Sequence, residues 1–252
     1  MTDWLLQHLR LSFIATSEPA SMMLPPDESE SLFSDVWGVE VELDEKKRGN
    51  LFRRRQANLA SSRIEIIEQH NRTDIMWMSQ SSLEMASFEG NIAQAALGKA
   101  SEIEAFLNVF GVLASKFATT SRMALGGIAF IPKNTIHEAY AVLSDYVPNL
   151  KIEFGKVKDF SIQINRPTSE SIDENLSFDV NRIINLNAMS SKFMAGTSPD
   201  SMNETTADNW AQLQFDINTD SAHKNTFTND QKITIKKLLI EGLDFVLNHG
   251  IR

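Results

Sequence analysis

Two asparagine-arginine steps, one in each of two neighbouring extended runs, are the residues of this chain that most suggest chemistry. They end at Arg166 and Arg182. A guanidinium carries five donors in a planar fork that fits a carboxylate, so both arginines are candidate ligand- or partner-binding residues. The alternative is structural ion pairing, because a half-buried arginine needs a carboxylate or carbonyl partner. The candidate partners are Asp159, Asp179 and Asp216.

A dense basic cluster lies in the first quarter of the chain. It comprises Lys46, Lys47, Arg48, Arg53, Arg54 and Arg55. Gly49-Asn50 separates its two parts and fits a tight turn, so the sequence predicts a hairpin with a positive tip. Such a tip would suit a phosphate backbone or an acidic protein partner. The alternative is a solvated hairpin whose charge is balanced by Glu40, Glu42, Asp44 and Glu45.

The common catalytic and cofactor-binding motifs are absent from the sequence. No histidine stands at a metal-ligand spacing from another, and Gly126-Gly127 lacks the third glycine of a dinucleotide loop. We assign this glycine pair to a bulge or a close backbone contact in a strand. Scattered acids leave a dispersed divalent-cation site open as an alternative to strand-edge solubility; they are Glu153, Asp159, Asp179, Asp216 and Asp220. We assign no cofactor, no metal ligand and no catalytic residue.

Composition narrows the class of protein. The 252 residues are 42% hydrophobic, enough for a sizeable core. A net charge of −9 disfavours a general nucleic-acid coat, although one basic patch stays possible. The lack of cysteine excludes disulfides and thiolate catalysis. Because neither a signal peptide nor an apolar run of membrane-spanning length is visible, we expect a cytoplasmic protein.

Hydrophobic periodicity predicts many strands and few helices. The predicted strands are 8–16, 39–43, 51–60, 62–69, 73–79, 121–131, 158–166, 175–187 and 212–220. The predicted helices are 31–37, 99–117, 134–145 with Asn134 as its cap, and 229–248, and a long loop is predicted over 190–208. We therefore predict an α+β fold with a mostly antiparallel sheet in two strand-rich halves. Residues 1–120 would end with helix 99–117 and residues 121–252 with helix 229–248, the two halves forming one compact unit.

Several segments are similar to a group of uncharacterised bacterial proteins. The matching pieces are Leu9–Ala15, Trp37-Gly38, Asn71–Trp77, Arg122–Phe130, Asp159–Pro167 and Val180–Arg182. This resemblance implies no particular activity. In architecture, strand-rich halves that each end in a helix resemble the sheet of SecB-type chaperones.

These observations favour a non-catalytic module that binds another protein. A broad antiparallel sheet offers edges and one apolar face to an extended or unfolded segment, and methionines can line an adaptable surface. The candidate methionines are Met22, Met23, Met76, Met78 and Met85. Such a protein would act as a chaperone-like antitoxin or a bacterial defence-complex subunit, and would self-associate to cover its sheet edges. The alternative is a nucleic-acid-binding protein that uses the basic hairpin at residues 46–55.

Overall fold

The computed structural model describes most of the chain and shows an α+β fold. The described residues are 4–15, 22–47, 52–82, 85–86, 92–99, 106–107, 110–147, 153, 160–173, 176–191, 194–195, 203–204, 208–222 and 225–249. The strands are β1 Leu5–Ile14, β2 Leu43–Lys47, β3 Phe52–Leu59, β4 Ser62–Gln69, β5 Arg72–Ser79, β6 Gly98–Lys99, β7 Arg122–Lys133, β8 Ser161–Asn165, β9 Thr168–Asp173, β10 Leu176–Ser191, β11 Met194–Ala195, β12 Asn203–Glu204 and β13 Asp208–Thr219. The α-helices are α1 Pro26–Leu32, α2 Phe110–Lys116, α3 Ile136–Tyr146 and α4 Asn229–His249, and a π-helix Phe33–Trp37 and a 3₁₀ turn Ile92–Ala95 complete the set.

Eleven of the strands form one antiparallel sheet. Its order is β2-β3-β4-β5-β1-β7-β13-β10-β8, with β6 also pairing with β1 and β9 with β10. Strands β11 and β12 form a separate two-stranded hairpin. The pairing of β1 with β7 joins strands from before and after residue 120 in the same sheet. The predicted α+β class and mostly antiparallel sheet are confirmed.

The main hydrophobic core lies on one face of this sheet, beneath the helices. Phe13 of β1 stacks on Phe117 with ring centroids 4.7 Å apart, and Ile217 of β13 lies against Gly242 of α4. The strand register places Phe13 and Ile217 on the same face. The other buried apolar residues of β1, β7, β10 and β13 in this core share that face. Alternate residues of each strand are therefore apolar and point into the core.

The opposite face, called the open face below, carries a small buried apolar cluster at one end. Phe130 and Trp210 are buried there by Ala86 and Ala95 from the segment that follows β5. Ser79 Oγ donates a hydrogen bond to Gln94 O, which ties this covering segment to the end of β5. Beyond this cover, the open face is lined mostly by polar and half-buried side chains.

Several predicted boundaries are wrong for local reasons. The strand expected over 39–43 begins only at Leu43. Lys99 was expected to start a helix but belongs to β6, because it pairs with Leu5 of β1. Residues 106–107 and 110–116 are helical and Phe117 is not, whereas residues 100–105 and 108–109 of the predicted helix lie outside the described residues. The C-terminal helix predicted over 229–248 is confirmed as α4.

Two further predictions need correction. The N-cap of α3 is Thr135, whose hydroxyl accepts from the Glu138 backbone N–H at 3.2 Å, whereas Asn134 donates its own N–H to the Glu138 carboxylate. The loop predicted over 190–208 contains the end of β10, the β11–β12 hairpin and the first residue of β13. Its other residues lie outside the described part of the chain.

Candidate binding face of the sheet

Two rows of side chains cross the open face where β4, β5 and β1 pair. The first row consists of Arg63, Met78 and His8, and the second of Glu65, Met76 and Arg10. Strands β7, β13, β10 and β8 continue both rows. Ile128, Gln214, Asn185 and Gln163 extend the first, and Gly126, Asp216, Ile183 and Asn165 extend the second. Because directly opposed residues share a face, each row brings residues far apart in sequence together.

A depression of about 320 Å³ lies along these rows. Its lining combines one histidine, one arginine, one aspartate, three side-chain amides and two isoleucines; the main contributors are His8, Arg10, Gln163, Ile183, Gln214 and Asp216. The depression is therefore polar but not purely charged, which is a composition that can hold both apolar and hydrogen-bonding groups.

Two adjacent glycines allow close contacts in this part of the sheet, Gly126 on the open face and Gly127 on the helix side. The Arg10 guanidinium lies over Gly126, where an added Cβ would stand 2.8 Å from Arg10 Nη2. At Gly127, a Cβ would stand 2.5 Å from the carbonyl oxygen of His8 and 2.6 Å from the ring of Phe215. The predicted close backbone contact is confirmed, and the register shift in this pairing lies in β1, between Leu6 and His8.

The charges in the depression are incompletely paired. Arg10 Nη2 lies 3.6 Å from Asp216 Oδ2, with 29% and 40% of the two side chains exposed. Such an exposed pair contributes little to stability. Arg10 Nε is buried without a hydrogen-bond partner in the described residues. Burial and the neighbouring Arg10 lower the pKa of His8 to about 4, so this imidazole is neutral at pH 7.

A hydrogen-bonded network occupies the end of the open face away from the covering segment. Arg72 Nε donates to both carboxylate oxygens of Asp74, at 2.9 and 2.8 Å, and Ser12 donates to the same carboxylate. At the same end of the open face, Arg122 of β7 donates to Asn218 Oδ1 of β13 at 2.9 Å. These groups satisfy one another, in contrast to those of the depression.

The structure brings Arg166 and Arg182 together on the helix side of the sheet. Both guanidiniums lie over the ring of Phe245 in α4, at 5.3 and 5.4 Å from its centroid. The backbone N–H of Arg166 donates to Arg182 O at 3.1 Å. Arg182 lies 3.9 Å from Glu170, so its described acidic partner is not one of the three predicted aspartates. These contacts are typical of residues that dock α4 against the sheet.

The basic cluster forms a hairpin of β2 and β3, as predicted. Arg53 and Arg55 lie on the helix side with 7% and 2% of their side chains exposed, each with Nε 3.6 Å from the Asp44 carboxylate. Arg54 points to the open face and pairs with Glu65. Lys46 is exposed and Lys47 belongs to β2. Arg48 and the turn itself lie outside the described residues.

The described residues hold no group of three or more histidine, aspartate or glutamate side chains placed to bind a metal ion. Asp179 accepts from Ser169 Oγ at 2.6 Å, and Asp216 accepts from Asn218 at 3.2 Å. His70 and His137 are exposed. Asp159 and His223 lie outside the described residues.

Sequence reasoning missed Arg10, Arg63 and His8 as site residues. Their only sequence signal was alternation, because Arg10 stands between the buried Leu9 and Leu11, as a solvent-facing strand residue does. What makes them neighbours is the pairing of β1 with β5 and β7, which residue spacing alone does not reveal.

No protein-family model matches this chain, and no protein with a curated description is significantly similar to it. Among the described residues, no helix is long and apolar enough to span a membrane.

Proposed function

We propose that the open face binds an extended polypeptide segment of another protein and performs no chemistry on it. The supporting observation is the depression of about 320 Å³, which is lined by two isoleucines, three side-chain amides and one incompletely paired guanidinium. An extended segment presents apolar side chains and unpaired backbone amides together, so this mixture of groups is complementary to it.

The two central methionines support the proposal. Met76 and Met78 lie half-buried on the open face, next to Arg10 and His8 in the strand register. A thioether is polarisable and has a flexible stem, so such a surface adapts to different apolar side chains. Of the other candidate methionines, Met22 is buried in the core and Met85 is exposed.

The nucleic-acid alternative is the second candidate, and it depends on Lys46 and the tip of the β2–β3 hairpin. The three arginines of β3 each have a carboxylate nearby, which reduces the charge they offer to phosphates. Among the cluster side chains that the structure describes, Lys46 is the remaining exposed cation, and one cation gives a phosphate backbone little to bind. The polypeptide partner is therefore the better supported of the two.

We further propose that the fold consists of two related halves. In the sheet order, β2-β3-β4-β5-β1 is followed by β7-β13-β10-β8. In each half the first strand in sequence lies at the centre of the sheet beside the last strand of that half. This mirrored order supports the likeness in architecture to SecB-type chaperones. A sheet of this kind with a peptide-binding face would suit a cytoplasmic, chaperone-like antitoxin or a defence-complex subunit.

Self-association through β8 is part of the same proposal. The residues of β8 are Ser-Ile-Gln-Ile-Asn, without a charge, whereas β2 at the other end of the sheet carries Asp44, Glu45, Lys46 and Lys47. Charged residues on an edge strand oppose pairing, and an uncharged edge permits it. Light scattering should show a dimer that Ser161→Lys combined with Asn165→Lys converts to a monomer; a monomeric native protein would contradict this part.

Binding of fluorescently labelled synthetic twelve-residue peptides, followed by anisotropy, tests the main proposal. Ile183→Glu places a charge in the depression and should weaken binding by about tenfold or more. Ile233→Glu is the matched control, because Ile233 is exposed on α4, on the other side of the sheet. Circular dichroism checks that both variants fold.

The outcomes separate the two candidates. Peptide binding that Ile183→Glu weakens and Ile233→Glu leaves unchanged supports the proposal. Tight, salt-sensitive binding of labelled single-stranded RNA or duplex DNA with no peptide binding favours the hairpin alternative. If the protein binds neither class of probe, the proposal is wrong.

A further inference from the structure

We infer that the open face selects an acidic segment: two carboxylates of the bound chain pair with Arg10 and Arg63, and an apolar side chain between them rests on Met76 and Met78. This inference rests on the proposed function and adds the chemistry of the partner. It follows from the charge that the open face leaves unpaired.

Both guanidiniums have unused donors. The described contacts give Arg10 only the loose pair with Asp216, at 3.6 Å. Arg63 donates Nη2 to the Met78 sulfur at 3.4 Å, and a thioether is a weak acceptor. The Nε atoms of both arginines are buried without a hydrogen-bond partner in the described residues. A buried atom is out of reach of a ligand, so the donors open to a bound carboxylate are the other nitrogens of these half-buried arginines.

Apart from Asp216, which pairs loosely with Arg10, the neighbouring acids on this face are engaged elsewhere. Glu65 lies beside Arg63 on β4, but it is buried and pairs with Arg54. Asp74 accepts hydrogen bonds from Arg72 and from Ser12. Because His8 is neutral at pH 7, it adds no charge between the two arginines. The local net charge around Arg10 and Arg63 is therefore positive, although the net charge of the whole protein is −9.

The spacing of the two arginines fits an extended chain. Arg63 stands opposite Met78, and Arg10 stands opposite Met76, which is two residues away from Met78 on the strand between them. Two strand spacings and two residues along the strand give a separation of roughly 12 Å. Carboxylates four residues apart on one side of an extended chain are separated by about 13 Å, which matches. The line between the arginines crosses β5 between the two methionines.

The same groups are less well suited to a nucleic acid. Base recognition on a sheet uses exposed aromatic rings as stacking platforms. The described lining of the depression has one aromatic residue, Phe215, and its ring packs against Gly127 on the helix side. An acidic polypeptide is therefore the occupant that the open face favours.

Three labelled twelve-residue peptides test this inference. They share one sequence with a central leucine and carry glutamates four residues apart, glutamines at those positions, or two adjacent glutamates. At low salt we expect the first to bind about tenfold tighter than the other two, since two exposed ion pairs together contribute on this scale. Arg10→Gln and Arg63→Gln should each remove most of the preference for the peptide with glutamates four residues apart.

Lys237→Gln is the matched control, because it removes one positive charge from an exposed position on α4. It should leave the preference intact. Equal binding of all three peptides to the native protein would overturn the acidic preference and leave the proposed function standing. Binding of none of them would overturn both. The peptide with adjacent glutamates tests the spacing without altering the protein, so the result does not depend on how well the arginine variants fold.

Discussion

The indole N–H of Trp4 donates a hydrogen bond to the hydroxyl of Tyr146, 142 positions away in the chain. The two rings meet edge to face, with centroids 5.6 Å apart and planes at 82°. The Tyr146 hydroxyl in turn donates to the backbone oxygen of Leu247. One buried hydroxyl therefore connects the start of β1, the end of α3 and the last turns of α4.

Tyr146→Phe should destabilise the fold by about 2 kcal/mol, because it leaves both the Trp4 N–H and the Leu247 carbonyl buried without a partner. Urea unfolding followed by tryptophan fluorescence measures the change. Trp4→Phe and the double variant complete a cycle, and the two losses should be clearly less than additive. Strict additivity would contradict the direct coupling of the two side chains.

The two adjacent glycines of β7 should respond very differently to alanine. At Gly127 the new methyl group would overlap a backbone carbonyl and a packed ring, so Gly127→Ala should cost about 1–3 kcal/mol of unfolding free energy. At Gly126 it would meet only the flexible end of Arg10, and the cost should stay below about 1 kcal/mol.

Gly126→Ala should instead affect binding, because Arg10 must move to make room. We expect it to reduce the preference for the glutamate peptide while the unfolding midpoint hardly changes. The pair of variants serves as its own control, since they differ by one position in one strand. Equal destabilisation by both would contradict the described packing.

Lys232 of α4 holds the C-terminal end of α2. Its buried ammonium donates to the backbone oxygens of Ala114 and Phe117, each at 2.9 Å, and to Asn229 Oδ1 at 3.3 Å. Burial lowers the pKa of this lysine below its usual 10.5. The carbonyls at a helix end lack intrahelical donors, so the ammonium satisfies groups that would otherwise be unpaired.

Lys232→Met should therefore destabilise the protein by about 1–3 kcal/mol, the range expected for buried groups that lose their partner. Methionine keeps most of the side-chain volume and removes the cost of burying a charge, which partly offsets the loss. Lys237→Met, at an exposed position of the same helix, should change the unfolding free energy by less than about 0.5 kcal/mol. An unfolding free energy that Lys232→Met leaves unchanged would contradict a net stabilising role for this ammonium.

Much of the sheet follows from local patterns. Alternation in 62–69 and 73–79 predicted β4 and β5 to within a residue, since each strand buries one side of its period-two pattern. The helix at 229–248 was equally clear from its apolar spacing. Strand order was not predictable in this way. Besides the two-residue β6, the neighbours of β1 are β5 and β7, which begin 67 and 117 residues after it, and no local signal specifies those pairings.

The candidate site depended on those pairings and was therefore missed. The sequence suggested a site at runs of basic residues. Successive side chains of a strand lie on opposite faces of the sheet, however, so consecutive basic residues point in opposite directions. Arg53 and Arg55 enter the helix side, and Arg54 points to the open face. Arg10 and Arg63 are isolated in the sequence, so no sequence pattern marked them as site residues. The strand register nevertheless places both on one surface. Long-range register, more than residue type, determines which charges act together here.

His8 should make stability depend on pH between 4 and 6.5. Its pKa is lowered to about 4 in the folded protein from 6.5 in the unfolded chain, so between these values the unfolded state binds more protons. Stability is complete above pH 6.5 and declines as the pH falls, by about 2 kcal/mol at pH 5. Urea unfolding of the native protein and of His8→Gln at pH 7.5 and 5 isolates this contribution. The native protein should lose about 2 kcal/mol more than the variant; parallel pH profiles would mean that the His8 imidazole is not shielded from water on the open face.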